Sequence, residues 1–147
     1  MEDLFIGKLI KELHTALDNS FNRFLDKHKL TSSQMNILMF LYHNEEKVIN
    51  QRDIEIFLGL SNPTITGTLY RLEKKGFIKR KVSLDDKRYK EIYLTAKSKK
   101  LKEIVFEDIR KNNEAMFYNM SSEEKETLVY IIKKLLYNIQ NKDNLFN

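Results

Sequence analysis

Several residue types are absent or scarce in this 147-residue chain, and each scarcity excludes a class of protein. There is no cysteine, which excludes disulfides, thiolate catalysis, thiol redox sensing and cysteine zinc sites. One proline and four glycines favour helices with short connections over a β-sandwich or a loop-rich scaffold. No apolar run approaches the roughly 18 residues that a membrane-spanning helix needs.

The N-terminal stretch MEDLFIGKLIKEL starts with acids and carries charges through its apolar part. A secretory signal instead has a basic start and an uninterrupted apolar segment. Hydrophobic residues make up 41% and charged residues 32% of the chain, a balance typical of globular proteins. We therefore expect a cytoplasmic protein that does not interact with membranes.

Positive charge is concentrated in one part of the sequence. The formal net charge is +5. Residues 71–102 contain 13 lysines and arginines against 4 acids, whereas the remainder contains 13 against 17. Such a concentration is the electrostatic footprint of a polyanion binder, although a solvated basic surface would have the same composition. Charge alone leaves both interpretations open.

The first part of the chain is predicted to be helical. Apolar residues recur every three or four positions over residues 2–27, which predicts one amphipathic helix. Thr31 and Gln34 fit a capping box for a second helix. Val48 and Ile49 indicate a very short strand before the next helical segment.

A helix-turn-helix is predicted next. Asn50 is placed to cap a short helix over residues 51–58, which Gly59 ends. Ser61 is placed to cap a fourth helix over residues 62–75, which has a proline in its first turn. The short connection between these two helices is the arrangement of a helix-turn-helix.

A two-stranded wing follows the fourth helix. Strands are predicted over residues 77–82 and 89–94, with Asp85 as a turn residue at the hairpin tip. Thr95 is placed to cap a long helix, and Ser121 opens a last helix with another capping box. The predicted fold is mainly α: a winged helix-turn-helix over residues 31–95, with helical regions 1–30 and 96–147 forming a dimerisation region.

The fourth helix is predicted to present two different faces. Ile65, Leu69 and Leu72 lie within about 60° of one another on a helical projection and should face the core. The opposite face is small and hydroxylated near its start and basic toward its end, as the N-terminal part of a DNA recognition helix needs to be. Gly67 costs roughly 1 kcal/mol relative to alanine within a helix, and close approach to DNA would explain that cost.

The motifs LTSSQMNILMFL, LGLSNPTITGTLYRLEKKGFIKR and SLDDKRYKEIYLT resemble, in this order and spacing, the MarR family of bacterial transcription regulators. The resemblance covers residues 30–101. It implies a homodimer that binds a pseudo-palindromic DNA operator, with recognition helices in major grooves and wings in minor grooves. It also implies a repressor that a small phenolic or lipophilic effector releases from DNA. Two positions depart from the family pattern: Gly67 stands where many members have a basic residue, and Ser98 where many have glycine.

The wing motif D-x-R corresponds to Asp86 and Arg88. The resemblance implies that the arginine enters the minor groove and that the aspartate holds it in place. A carboxylate can pre-position a guanidinium by a fork-like pair, which reduces the entropy lost on binding. The predicted DNA-binding residues are Gln51, Arg52, Ser61, Asn62, Pro63, Thr64, Thr66, Gly67, Tyr70, Arg71, Lys74, Asp86, Lys87 and Arg88.

Other functions are weaker fits to this sequence. No nucleophile constellation or phosphate-binding loop indicates an enzyme, and we expect no cofactor. The three histidines form no pair at metal-ligand spacing, so we expect no metal site. A non-specific DNA-binding protein or a helical protein-interaction module remains the alternative. An effector pocket is predicted where the first two helices meet the recognition lobe, lined by His14, Leu17, Phe21, Leu38 and Tyr42.

Overall fold

The computed structural model describes residues 2–84 and 86–141, with side chains from residue 5 onward. The predicted turn residue Asp85 lies outside the described residues. The helices and strands are α1 (Glu2–His28), α2 (Ser32–His43), β1 (Ile49–Asn50), α3 (Gln51–Leu58), α4 (Asn62–Lys74), β2 (Ile78–Val82), β3 (Lys90–Leu94), α5 (Ala96–Met116) and α6 (Ser122–Gln140). The fold is mostly helical with one small sheet, as predicted for a winged helix-turn-helix.

Most helix starts follow the predicted capping chemistry. Capping boxes are present at Thr31, Asn50 and Ser121. Their side chains satisfy backbone N–H groups that have no partner in the first helical turn. These short-range signals explain why the helix starts could be located to within a residue or two.

The predicted side-chain cap at Ser61 is wrong. Ser61 does occupy the N-cap position of α4, but its side chain makes no capping hydrogen bond. Pro63 has no N–H to offer in the first turn. The Ser61 hydroxyl instead lies 3.0 Å from the hydroxyl of Thr64. Ser61 therefore precedes α4 as its N-cap residue by backbone position, without a capping hydrogen bond from its side chain.

Three antiparallel strands form a sheet in the order β1-β3-β2. Ile49 pairs with Ile92 across β1 and β3, and Ile78 pairs with Leu94 across β2 and β3. These three isoleucines are buried, whereas Val82 at the far end of β2 is 53% exposed. The base of the hairpin thus joins the core, and its far end projects as a wing.

The core of the winged lobe lies between α2, α3, α4 and the base of the sheet. Ile65, Leu69 and Leu72 are almost completely buried, which confirms the predicted inward face of α4. Met35, Ile37, Leu38, Ile54 and Ile78 of the same lobe are buried as well. Burial of several such side chains, each worth about 1.5–3 kcal/mol, fixes the orientation of α4.

Two compact units divide the chain, residues 1–102 and residues 103–147. The first contains α1, the winged helix-turn-helix and the start of α5. The second contains the rest of α5 and α6, and α6 buries no residue. The predicted dimerisation region over residues 1–30 and 96–147 follows a different boundary and stays a prediction. Within the part of the chain described, no helix has both the length and the apolar character that crossing a bilayer requires.

Candidate nucleic-acid interface

The outer face of α4 is exposed where a recognition helix would contact DNA. Pro63, Thr64, Thr66, Arg71 and Lys74 are all exposed. Tyr70 is 59% exposed, so it is not buried by packing on a neighbouring helix. Among the described residues, a methyl group at Gly67 would meet only the Arg71 guanidinium, at 3.7 Å. Internal packing therefore does not require glycine at this position.

A hydrogen-bond network joins the starts of α3 and α4. Its centre is Glu55, which is 8% exposed. Glu55 Oε1 accepts from the side-chain amides of Gln51 at 2.9 Å and Asn62 at 2.7 Å. Glu55 Oε2 lies 3.5 Å from the guanidinium of Arg52. Gln51 also donates to the Thr66 hydroxyl at 2.8 Å. Four predicted DNA-binding residues are thus held in one cluster by an acid that the sequence did not single out.

This network changes what Gln51 can offer to DNA. The prediction that Gln51 holds a phosphate requires a free N–H donor, because phosphate oxygens only accept. Both N–H groups of the Gln51 amide are used inside the protein, one by Glu55 and one by Thr66. Arg52, whose side chain is 70% exposed, keeps donors available for a phosphate.

The wing holds Arg88 in the way its motif predicts. Arg88 Nη2 donates to Asp86 Oδ2 at 2.7 Å, and Arg88 Nε donates to Oδ1 at 3.0 Å. The backbone N–H of Arg88 also donates to Asp86 Oδ1 at 3.0 Å. These bonds hold the pKa of the Asp86 carboxyl below its usual value. The Arg88 side chain is 82% exposed, and Lys87 beside it is exposed as well. The aspartate therefore orients an arginine that projects into solvent.

A second ion pair attaches the wing to α4. Glu73 accepts from Arg80 Nη2 at 2.6 Å, from Arg80 Nε at 2.9 Å and from its backbone N–H at 3.1 Å. Hydrogen bonding to Arg80 lowers the pKa of Glu73. Because Glu73 is on α4 and Arg80 is on β2, the pair links the two elements expected to contact DNA.

The predicted effector pocket divides into buried and exposed residues. Leu38 and Tyr42 belong to the core, and the Tyr42 hydroxyl donates to the Ser98 carbonyl at 2.8 Å. Burial raises the pKa of Tyr42. His14 is on an exposed face of α1 and pairs with Asp18 at 3.2 Å. Leu17 and Phe21 are 47% and 41% exposed. The pocket stays a prediction.

One cavity of about 270 Å³ lies elsewhere in the first unit, between the end of α2, β1, β3 and the start of α5. Leu41, Val48, Tyr93 and Lys99 are among its lining residues, and none of the five predicted pocket residues lines it. Among residues 2–84 and 86–141, no group of three or more acids and histidines gathers as metal ligands.

Sequence reasoning missed Glu55, Glu73 and Arg80. Glu55 follows Gln51 by four positions, a spacing that places two side chains on one helix face. That signal is common on solvated helices, and nothing local showed that this acid is buried. Glu73 and Arg80 pair across a turn, which a single-helix or single-strand pattern does not reveal.

The family model described as the MarR family matches residues 30–90. The transcription regulator MarR from Oenococcus oeni PSU-1 is 32% identical, with a TM-score of 0.65 over 90% of this chain and 98% of that chain. MepR of S. aureus, in a complex with DNA, is 26% identical, with a TM-score of 0.74 over 90% of this chain and 98% of that chain.

Proposed function

Because this chain belongs to the MarR family of transcription regulators, we propose that it is a homodimeric repressor that binds a pseudo-palindromic DNA operator. Members of this family are DNA-binding regulators, not enzymes. The observation that carries the proposal is the exposed outer face of α4 together with Arg88, which Asp86 holds pointing outward from the wing. Both lie within or beside the segment of highest positive charge.

The two elements suit two grooves of the same duplex. The start of α4 is small and hydroxylated, so its backbone can approach base edges in a major groove. Arg88 suits a narrow minor groove, where the negative potential of an A·T tract attracts a guanidinium. Arg71 and Lys74 are exposed farther along α4 and would neutralise phosphates. Arg52 at the start of α3 would do the same.

Uncovered apolar helix faces support the homodimer. On α1, Phe5 is 59%, Leu9 is 62% and Leu13 is 50% exposed. On α6, Leu136 is 52% and Ile139 is 68% exposed, and no residue of this helix is buried. An uncovered apolar face on a helix usually marks an interface. A second copy of the chain is the partner we propose, since two such copies would place two α4 helices on two operator half-sites.

Release by a small phenolic or lipophilic effector is part of the proposal. The absence of cysteine from the chain leaves ligand binding in place of thiol oxidation as the means of release. His14, Leu17 and Phe21 would form the side of the pocket contributed by α1, next to Leu38 and Tyr42. A screen of small phenols, drugs and metal ions for release of bound DNA tests this point.

The experiment that tests the function is selection of bound fragments from the source genome. A specific regulator should prefer its operator over random duplex by about 10³-fold or more at physiological salt. Uniform affinity for all duplexes with a steep salt dependence would instead indicate a non-specific DNA-binding protein. Failure to retain any duplex would favour a helical protein-interaction module.

The oligomeric state has its own test. Replacing Leu136 by glutamate places a charge on the uncovered face of α6 and should convert a dimer to a monomer in equilibrium sedimentation. Lys133→Glu, at an exposed position of the same helix, is the matched control and should remain dimeric. A wild-type protein that sediments as a monomer at micromolar concentration would contradict the homodimer.

A further inference from the structure

Glu55 is an acid buried beneath a surface that is proposed to meet DNA. It is 8% exposed, and a buried carboxylate is costly unless its oxygens are hydrogen-bonded or paired. Here Oε1 accepts from two amides, those of Gln51 and Asn62, and Oε2 faces the guanidinium of Arg52. The carboxylate thus has partners for both oxygens, and all of them are residues predicted to contact DNA.

The carboxylate decides which way the two amides point. An ionised carboxylate only accepts hydrogen bonds, so each amide must turn its NH₂ group inward toward Glu55. Both N–H groups of the Gln51 amide are then occupied, because the second one donates to the Thr66 hydroxyl at 2.8 Å. Within the described residues, the Gln51 carbonyl oxygen has no hydrogen-bond partner. Gln51 therefore presents an acceptor and no donor.

The Thr66 hydroxyl is committed to the same network. It accepts from Gln51 at 2.8 Å and lies 3.4 Å from the Asn62 side-chain oxygen. A hydroxyl has one proton to donate. At the start of α4, the hydroxyl of Thr66 is thereby oriented by the protein before any DNA arrives.

We propose that Glu55 is a positioning residue for base recognition: it makes Gln51 an acceptor-only contact that selects a base with an amino group in the major groove. This inference rests on the proposed DNA-binding function. Cytosine offers the N4 amino donor, and adenine offers N6 beside the N7 acceptor. Guanine offers two acceptors and thymine offers O4, both of which repel a carbonyl oxygen. Cytosine is the base expected opposite Gln51, because adenine N7 would have no donor to meet.

An amide with free N–H groups would behave differently. It would bind adenine through both N6 and N7, or donate to a phosphate. Removing the Glu55 carboxylate frees the Gln51 and Asn62 amides to turn. Glu55→Ala should therefore change which base is selected, and the change should be confined to the half-site positions that Gln51 and Asn62 meet.

The test is selection from randomised duplexes with the full chain, comparing wild type, Glu55→Ala and Glu46→Ala. Glu46 is an exposed acid of the same unit, so its replacement makes the same change in net charge without touching the network. The wild-type protein and Glu46→Ala should prefer cytosine over guanine at one half-site position by roughly fivefold or more. In Glu55→Ala this preference should fall below about twofold or move to adenine, with the positions that neither Gln51 nor Asn62 meets unchanged.

A second variant covers the case in which Glu55→Ala does not fold. Gln51→Met retains Glu55 and the side-chain length but removes the acceptor, so it should lose the same cytosine preference. Retention of cytosine in either folded variant would overturn the proposal. Uniform loss of preference at all positions would also overturn it, because it would indicate general damage to the lobe. Failure of the wild-type protein to select any sequence would instead count against the proposed function itself.

A measurement on the DNA-free protein distinguishes failure of the positioning role of Glu55 from failure of the proposed DNA-binding function. In nuclear magnetic resonance spectra of the free protein, the side-chain NH₂ signals of Gln51 and Asn62 should be shifted and slow to exchange. Both should move to ordinary positions in Glu55→Ala and stay in place in Glu46→Ala. Signals at ordinary positions in the wild type would overturn the positioning role even if the protein binds a specific operator.

Discussion

Two regions, the cluster between α3 and the start of α4 and the wing, each place an acid among groups expected to meet DNA, but they hold those groups differently. Glu55 is 8% exposed and gathers side chains from α3 and α4. Asp86 pairs with Arg88, only two residues away on the same hairpin, and the Arg88 side chain is 82% exposed. The first arrangement depends on tertiary packing. The second depends on local backbone geometry and needs the rest of the protein only to hold the wing.

The largest effect should come from a matched pair of leucine truncations in these two regions. Leu69 on the inward face of α4 is 0% exposed, whereas Leu84 on the wing is 95% exposed. Leu69→Ala should lower the free energy of unfolding by about 2–5 kcal/mol, because it removes buried apolar contacts and leaves a cavity. Leu84→Ala should change it by less than about 0.5 kcal/mol. Urea denaturation of both variants measures the difference.

Equal destabilisation by the two truncations would contradict this comparison. It would mean that Leu84 on the wing contributes as much to the free energy of unfolding as Leu69 on the buried face of α4. A Leu69→Ala protein that still binds its operator at full affinity would show that α4 keeps its position without the buried Leu69 side chain.

The ion pair between Glu73 and Arg80 should have the next largest effect, because it ties the wing to α4. Glu73→Gln removes the charge but keeps an acceptor, and the Glu73 side chain is 36% exposed. We expect a loss of about 1 kcal/mol in the free energy of unfolding at pH 7, a value reduced for solvent screening. Urea denaturation against Glu46→Gln, the matched control at an exposed site, measures it.

The pH dependence of this pair has a definite sign. The folded-state pKa of Glu73 is lowered, chiefly by hydrogen bonding to Arg80. A lowered carboxyl pKa contributes stability above the unfolded-state value, which is 4.5, and loses it as pH falls through the folded-state value. The difference between wild type and Glu73→Gln should therefore be full at pH 7 and shrink below pH 4.5. A difference that grows on acidification would contradict the assignment.

The features that could be predicted from sequence are those encoded within a few residues. Thr31 and Gln34 form their capping box three positions apart, and Asp86 and Arg88 lie within one hairpin, so short-range geometry predicts each contact. The burial of Ile65 follows from helical periodicity alone. Glu55 could not be recognised, because its burial depends on how α3 packs on α4 and no local pattern contains that information.

The error at Ser61 has a similar cause. A serine before a helix usually accepts from the first-turn N–H groups. Here the neighbouring proline removes one donor and the Thr64 hydroxyl offers a competing partner. The choice between two partners was decided by side-chain geometry within the folded turn, which position in the sequence does not specify.

Replacement of Asp86 tests the local arrangement on the wing. Asp86→Ala removes a negative charge from a basic surface, and simple electrostatics predicts tighter DNA binding. We expect the reverse, a several-fold loss of operator affinity, because Arg88 would lose the partner that orders it before binding. Titration at fixed salt measures the affinity. Glu46→Ala makes the same charge change away from the wing and should bind slightly more tightly. Tighter binding by Asp86→Ala would exclude the orienting role.

The most direct test of close approach to DNA is the replacement of Gly67 on α4. In the part of the chain that the structure describes, a methyl group there would meet only the Arg71 guanidinium at 3.7 Å, an ordinary contact. Gly67→Ala should therefore raise the free energy of unfolding by up to about 1 kcal/mol, because alanine favours the helix. The same methyl group would stand between α4 and the base edges, so operator affinity should fall while stability rises. The substitution should leave the wing in place, because no atom of β2 or β3 lies within 4 Å of the added methyl group. An increase in stability with unchanged affinity would show that the α4 backbone does not approach DNA closely at Gly67.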